Sequence, residues 1–175
     1  MKKSILLLLS IVLLSSCSTI KVVSDYDSKV DFTKYKTYAF YKPEIDKAKI
    51  SDLDKKRILR AIETELLAKG FTKSKKPDML VGIFTKSREK VNINQNNVGF
   101  GWNPWWGGMN NNNMNINQYT EGTLFIDFID KEKKELIWQG VGTGALKLQN
   151  RAKKVERINL FVKEIIAKFP PSEDK

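Results

Sequence analysis

The residue types best suited to chemistry are scarce in this chain. Of 175 residues none is histidine and a single one, Cys17, is cysteine. Without an imidazole the commonest general base is missing and zinc loses its usual ligands. If the one thiol is consumed by modification, none remains for a disulfide, a metal or nucleophilic catalysis. Chemistry would then rest on carboxylates or lysines. Asp25, Asp27 and Asp31 come nearest to a cluster. They lack the further close-spaced oxygen ligands, the glycine and the terminal glutamate of a calcium loop, so turn and cap roles are expected. Asp127 and Asp130 flank Phe128 near the end of a strand, and nothing in the sequence aligns them in a pocket as an acid/base pair. Gly140, Gly142 and Gly144 alternate without the strand–turn–helix setting of a phosphate cradle, which predicts close backbone approach or a bulge. Trp138 is expected to pack within its strand. The residues therefore predict no metal, no cofactor and no enzyme; a carboxylate-dependent hydrolase is the alternative and requires two acids converging in a pocket.

Cys17 stands where one kind of chemistry needs it. Met1-Lys2-Lys3 is followed by an apolar run from Ile5 to Leu14. Two lysines and a short apolar core have the form of a signal peptide, and the run falls short of the roughly 20 residues that span a bilayer. It ends in Leu14-Ser15-Ser16-Cys17, which resembles the lipobox of bacterial lipoproteins. That resemblance implies cleavage after Ser16 and diacylglycerol on the Cys17 thiol, with acylation of the new amine. At about 0.8 kcal/mol per buried methylene, several acyl chains make a durable anchor where one is marginal. The mature chain keeps 159 of the 175 residues, enough for one domain with its own core. No acidic run follows in Ser18-Thr19-Ile20-Lys21, so the expected location is the periplasmic leaflet of an outer membrane.

Charge supports an envelope setting without naming a ligand. Lys+Arg 31 against Asp+Glu 20 gives +11, and loss of Lys2 and Lys3 leaves about +9. An exported protein does not meet nucleic acid in ordinary work, so its anionic neighbours would be lipid head groups, envelope polymers or acidic proteins. The basic residues are spread along the chain, as on a solvated surface.

The elements that would position these groups follow from pattern. Ile20 and Val22 alternate around Lys21, giving residues 17–31 as lipidated N-terminus with a tether or first strand. Tyr35 to Tyr41 is rich in aromatic and β-branched residues and reads as a strand stopped by Pro43. Ser51, with Asp54 three residues on, caps an amphipathic helix from about Ser51 to Lys69; Ile58, Leu59, Ile62 and Leu66 line it and Gly70 stops it. Asp78 to Val91 is a strand, apolar on both faces at its start. Gly122 to Asp130 and Glu135 to Gly142 form an antiparallel hairpin across the charged turn Lys131–Lys134. Asn150 to Phe169 is a second helix, striped by Val155, Ile158, Val162, Ile165 and Phe169, widened by Phe161 and Ile166, and closed by Pro170-Pro171. Together they predict one α+β domain over 32–171: a two-layer, largely antiparallel sheet of about four strands with two amphipathic helices on one face, then a polar tail over 172–175.

Residues 92–119 differ in composition, with asparagine dominant, and read as a long mobile loop. Phe100, Trp102, Trp105 and Trp106 lie in it. Either they fold back over a sheet edge or they are presented outward, where amphipathic tryptophan suits a membrane interface, a sugar face or a protein partner.

The lipobox at Cys17, the stretch from Asp25-Tyr26-Asp27 through Asp31-Phe32 into Tyr35-Lys36-Thr37-Tyr38-Ala39-Phe40, the hairpin Gly122-Thr123-Leu124 with Asp127 and Leu136-Ile137-Trp138-Gln139-Gly140, and the terminal Phe169-Pro170-Pro171 resemble the DUF4136 family of bacterial lipoproteins. The resemblance spans almost the whole mature chain. It implies a small α+β envelope lipoprotein of uncharacterised function and supplies no catalytic residues. The expected function is a membrane-anchored, non-catalytic binding or assembly module, with an envelope protein or polysaccharide as partner of the 92–119 loop. The alternative is a structural lipoprotein whose aromatic loop rests on lipid.

Overall fold

The computed structural model describes residues 20–94, 115–146 and 150–171, with side chains between 90 and 119 left out. Cys17, the segment 1–16 read as a signal peptide, the tail 172–175, and the aromatic residues Phe100, Trp102, Trp105 and Trp106 lie outside the described residues.

The chain runs β1 (Lys21–Tyr26), β2 (Thr37–Phe40), α1 (Lys42–Lys47), α2 (Asp52–Ala68), β3 (Thr72–Lys73), β4 (Met79–Asn94), β5 (Asn115–Asp130), β6 (Leu136–Ala145) and α3 (Arg151–Ile166). Its α+β class matches the expectation, but the sheet is larger and mixed. Six strands stand in the order β1-β6-β5-β4-β2-β3. β1, β6, β5 and β4 pair antiparallel, whereas β2 is parallel to both β3 and β4. The parallel pairings have a direct cause: a strand that leaves through helices and returns beside itself arrives in the same direction. The two-residue β3 is too short to leave a pattern. α1 is a third helix, begun where the sequence reading saw only a strand stop, because a proline in the first turn forfeits no hydrogen bond.

The two longer helices begin and end as their sequences dictate. Ser51 caps α2 by accepting from the Asp54 N–H, and Gly70 closes it at φ 86°, in the left-handed region that glycine enters without a Cβ clash. Asn150 caps α3 by accepting from the Lys153 N–H.

One sheet face carries the core. Met79, Val81, Ile83, Leu124, Ile126, Phe128 and Trp138 lie on it, all buried. Here Gly140 and Gly142 admit α3: a Cβ at Gly140 would fall 2.4 Å from Ile165 Cγ2, and one at Gly142 would fall 2.8 Å from Ile165 Cδ1. The close approach foreseen for these glycines is therefore a helix seated on bare backbone. Phe169, just past α3, closes the core edge-on against Phe128, with ring centroids 4.3 Å apart.

β4 and β5 pair continuously from Met79↔Asp130 to Asn94↔Asn115. The strands thus continue into both ends of the segment expected to be loop, which leaves 95–114 as the stretch between them. Beyond Arg88↔Glu121 the two strands form a ribbon paired with no third strand among the described residues. Its further six residue pairs reach roughly 20 Å at about 3.3 Å per residue.

Candidate functional site

A cavity of about 500 Å³ opens where α2, α3 and the free edge of β4 meet. That volume lies within the range of roughly 300–1,000 Å³ typical of small-ligand pockets. Its walls are largely apolar, formed by Ile50, Ile58, Leu124, Leu146, Ile158 and Phe161, with the hydroxyl residues Thr85, Ser87 and Thr123 at the strands. Lys49, Lys86, Lys154 and Arg157 also line it, against a single carboxylate, Asp54. The edge is open because β2 pairs with β4 only as far as Val81, after which α1 and its following turn lead the chain away.

The polar groups on the helix side are mostly committed. Asp54 binds Arg57 and Lys154, each at 2.5 Å, and so joins α2 to α3. Burial pushes its carboxyl up, but hydrogen bonds from Lys154, Arg57 and Ser51 hold it below the ordinary carboxylate range. The two ion pairs come in addition to the contact with Ser51 that the cap spacing predicts for Asp54. Arg157 is buried, donates from Nε to the Ala145 carbonyl at 2.9 Å and stands 5.0 Å over the Phe161 ring. Burial lowers its guanidinium below the usual arginine range. Lys49 is exposed at the mouth, the Lys86 ammonium lies over the Phe84 and Phe125 rings on the opposite sheet face, and Ile58, Leu124 and Phe161 form the floor.

The opposite face holds a carboxyl pair. Asp127 is buried between Gly82 and Gln139 on neighbouring strands and accepts from Gln139 Nε2 at 2.8 Å. Glu44 of α1 reaches over the same place. A Cβ at Gly82 would fall 1.7 Å from its Oε2, so only a glycine leaves room for the carboxyl in this pose. Burial raises the Glu44 carboxyl, and the charge of Asp127 and a hydrogen bond to it raise it further. Burial also raises Asp127, against hydrogen bonds from Gln139 and Glu44. Two carboxyls so placed disfavour double ionisation and favour holding one proton between them; Glu44 Oε2 is otherwise buried without a hydrogen-bond partner. The charge of Lys47 opposes the rise at Glu44, and among the described residues no group of three or more acids or thiols could hold a metal ion.

A family model described as a domain of unknown function, DUF4136, matches residues 22–171. The chain belongs to that family. Among curated proteins no relative matches the sequence. Among solved structures, this DUF4136 chain is similar to a PDZ domain protein from Parabacteroides distasonis, with TM-score 0.55 and 20% identity. The likeness covers 89% of this chain but 36% of the other, so the chain spans about a third of that protein's length. It is a likeness of fold. A PelC dodecamer from Paraburkholderia phytofirmans gives TM-score 0.49 at 10% identity, covering 85% of this chain and 96% of that one.

The residues singled out in the DUF4136 sequence are not brought together. Asp25, Asp27 and Asp31 accept from the N–H groups of Tyr26, Lys29 and Thr33, the turn and cap roles expected of them. Asp130 accepts from the Tyr35 hydroxyl at 2.7 Å and from the turn N–H groups of Glu132 and Lys133, so it braces the β5–β6 turn rather than assisting Asp127. Trp138 is fully buried and stacked on Phe128. The cavity residues were missed because they lie on four separate elements and each reads as an ordinary helix stripe or solvated lysine. Glu44 had a partial signal in Lys42-Pro43-Glu44, a helix start with an acid in its first turn, but nothing local pairs it with Asp127.

Proposed function

We propose that this DUF4136 chain is a membrane-anchored envelope lipoprotein, held by lipid on Cys17, whose domain is a non-catalytic binding module with its ligand seated in the cavity between α2, α3 and β4. The observation that carries this reading is the cavity itself: largely apolar walls and a volume fit for a small ligand. The N-terminal signal and Leu14-Ser15-Ser16-Cys17 supply the anchor. Among the described residues no helix is long and apolar enough to cross a membrane, so the anchor in this reading is the acylated cysteine.

The test is native mass spectrometry of the lipoprotein extracted from membranes. Wild type should carry a non-covalent companion that Leu146→Trp, which fills the cavity, loses. A wild-type chain with no companion would defeat the reading. Metabolic labelling with palmitate tests the anchor: Cys17→Ala should abolish incorporation, and continued labelling would exclude it.

A second reading keeps the aromatic residues Phe100, Trp102, Trp105 and Trp106 as a contact surface for lipid or an envelope partner. It is favoured by the long β4–β5 ribbon, whose two strands the 95–114 segment connects. Replacing 95–114 with a short Gly-Ser linker should leave the melting temperature in place and reduce envelope cross-linking. Unchanged cross-linking would remove this role.

A further inference from the structure

Beside the cavity, β4 presents an open strand edge. The Tyr41 N–H, just past β2, donates to the Val81 carbonyl at 2.8 Å. In a strand the backbone groups of alternate residues point to the same side. Those of Ile83, Thr85 and Ser87 therefore point where β2 has stopped, and those of Phe84 and Lys86 point to β5. Ile83 is fully buried, Thr85 half-buried and Ser87 exposed, so the accessible edge begins at Thr85. Among the described residues no backbone hydrogen bond meets the outward groups of Thr85 and Ser87. Such edges are normally blunted by a bulge, a proline or a charge turned over them. β4 pairs with β5 in unbroken register from Met79 to Asn94 and contains no proline. Its cations lean inward: the Lys86 ammonium lies 5.5 Å from the Phe125 ring centroid, and Arg88 binds Glu121 at 2.5 Å, both on β5.

We propose that this edge takes an extended acidic segment of another protein as an added strand, bonded to the backbone of Thr85 and Ser87, with alternate apolar side chains turned to the cavity. This goes beyond the reading above, since backbone pairing requires no separate small ligand. The edge supplies the backbone partners, and an added strand alternates its side chains between the two faces as β4 does. On the helix side Thr85 and Ser87 line the cavity together with Ile50, Ile58 and Ile158, so side chains added on that face meet largely apolar walls. Charge chooses an acidic segment. On the helix side Lys49, Arg57, Lys154 and Arg157 stand against Asp54 and Glu89. On the other face Lys86 and Arg88 stand against Glu121. Both faces are net positive. The same charges disfavour a second copy of this chain: antiparallel pairing of two β4 edges centred on 86, 87 or 88 sets Lys86 or Arg88 against a like charge, which destabilises a directly opposed pair.

The experiment titrates the full chain, in neutral detergent micelles, with a capped ten-residue peptide of alternating glutamate and valine. Amide hydrogen exchange is followed residue by residue by NMR. Binding should slow the Thr85 and Ser87 amides at least tenfold more than those of Phe84 and Lys86, which already face β5. A peptide of alternating lysine and valine should bind at least tenfold more weakly. Ser87→Pro removes one edge donor and should weaken binding at least tenfold, while Ser87→Ala, which keeps the N–H, should stay within twofold of wild type. The same peptide N-methylated throughout should not bind wild type, a result that holds even where the proline variant does not fold. Unslowed Thr85 and Ser87 amides, equal binding of the acidic and basic peptides, or binding by the methylated peptide would overturn the proposal. Should native mass spectrometry show a companion lost in Leu146→Trp while the Thr85 and Ser87 amides are unmoved by the peptide, the small-ligand reading stands and strand addition is wrong.

Discussion

The two faces of this sheet share every strand yet are built on opposite terms. On the helix side, Val81, Ile83, Ile126, Phe128 and Trp138 are fully buried, and Gly140 and Gly142 lower the surface so that Ile165 can lie on the backbone. On the other side, Phe84, Phe125, Val141 and Val23 stand opposite one another across four strands, with Val23 64% and Phe84 37% exposed. Next to that apolar row lie Lys86, Thr123, Thr143 and Lys21 in one direction, and Gly82, Asp127, Gln139 and Asp25 in the other. The difference teaches where ionisable groups are tolerated. Asp54, at the helix-side cavity, is satisfied by two cations; Glu44 and Asp127, on the open face, are pushed by burial toward the protonated form.

The largest effect should come from the packed face. Ile165→Asp places a charge where α3 meets Gly140 and Gly142, and should abolish cooperative unfolding in a urea titration. Truncating such a side chain merely to alanine costs about 2–5 kcal/mol, against a total stability of roughly 5–15 kcal/mol. A cooperative wild-type-like transition would mean that α3 is not docked as described.

Next in size is Asp54→Asn, which unties α2 from α3 and should cost about 1.5–3 kcal/mol at neutral pH, the span of hydrogen bonds to charged groups. The folded carboxyl lies below its ordinary value of 3.8, so its stabilisation is present above that pH and is lost as pH falls through the lowered value. The gap between wild type and Asp54→Asn should therefore close on acidification. A gap that holds constant down to strongly acidic pH would assign the loss to packing.

The open-face pair should respond with the opposite sign and a smaller size. Glu44 and Asp127 are raised above their ordinary 4.5 and 3.8. An acid raised in the folded state stabilises at low pH, and that contribution is lost as pH rises through the raised value. Glu44→Gln supplies a permanent donor to Asp127, so it should be more stable than wild type at neutral pH and lose that advantage in acid. Chemical denaturation at several pH values measures this, and a variant weaker than wild type at every pH would sink the shared-proton account.

The smallest effect should be at Val23→Thr, where a mostly exposed edge-strand side chain is replaced by another β-branched one. Stability should move by no more than about 0.5 kcal/mol. A larger loss would show that the apolar row is covered in solution, and would erase the contrast between the faces.

Local signals made much of this legible. The cap at Ser51, the start near Asn150, the stop at Gly70, the buried stripe of α3 and the turn roles of Asp25, Asp27 and Asp31 could be read because each depends on residues within four or five positions. The β5–β6 hairpin was legible for the same reason. The parallel placement of β2 and the two-residue β3 were not, since neither leaves a periodic trace.

The sequence by itself determined the chain's class, the boundaries of its main helices and its poverty in catalytic residue types, all of which follow from composition and short-range spacing. Only the tertiary structure decided that Glu44 lies on Asp127, 83 positions later in the chain, and that residues from α2, β4, β5 and α3 enclose one cavity beside the start of β1. The physical reason is that side-chain partnership across a sheet depends on strand order and register. A one-residue shift turns every side chain to the other face, and no local pattern encodes which strand will stand next to which.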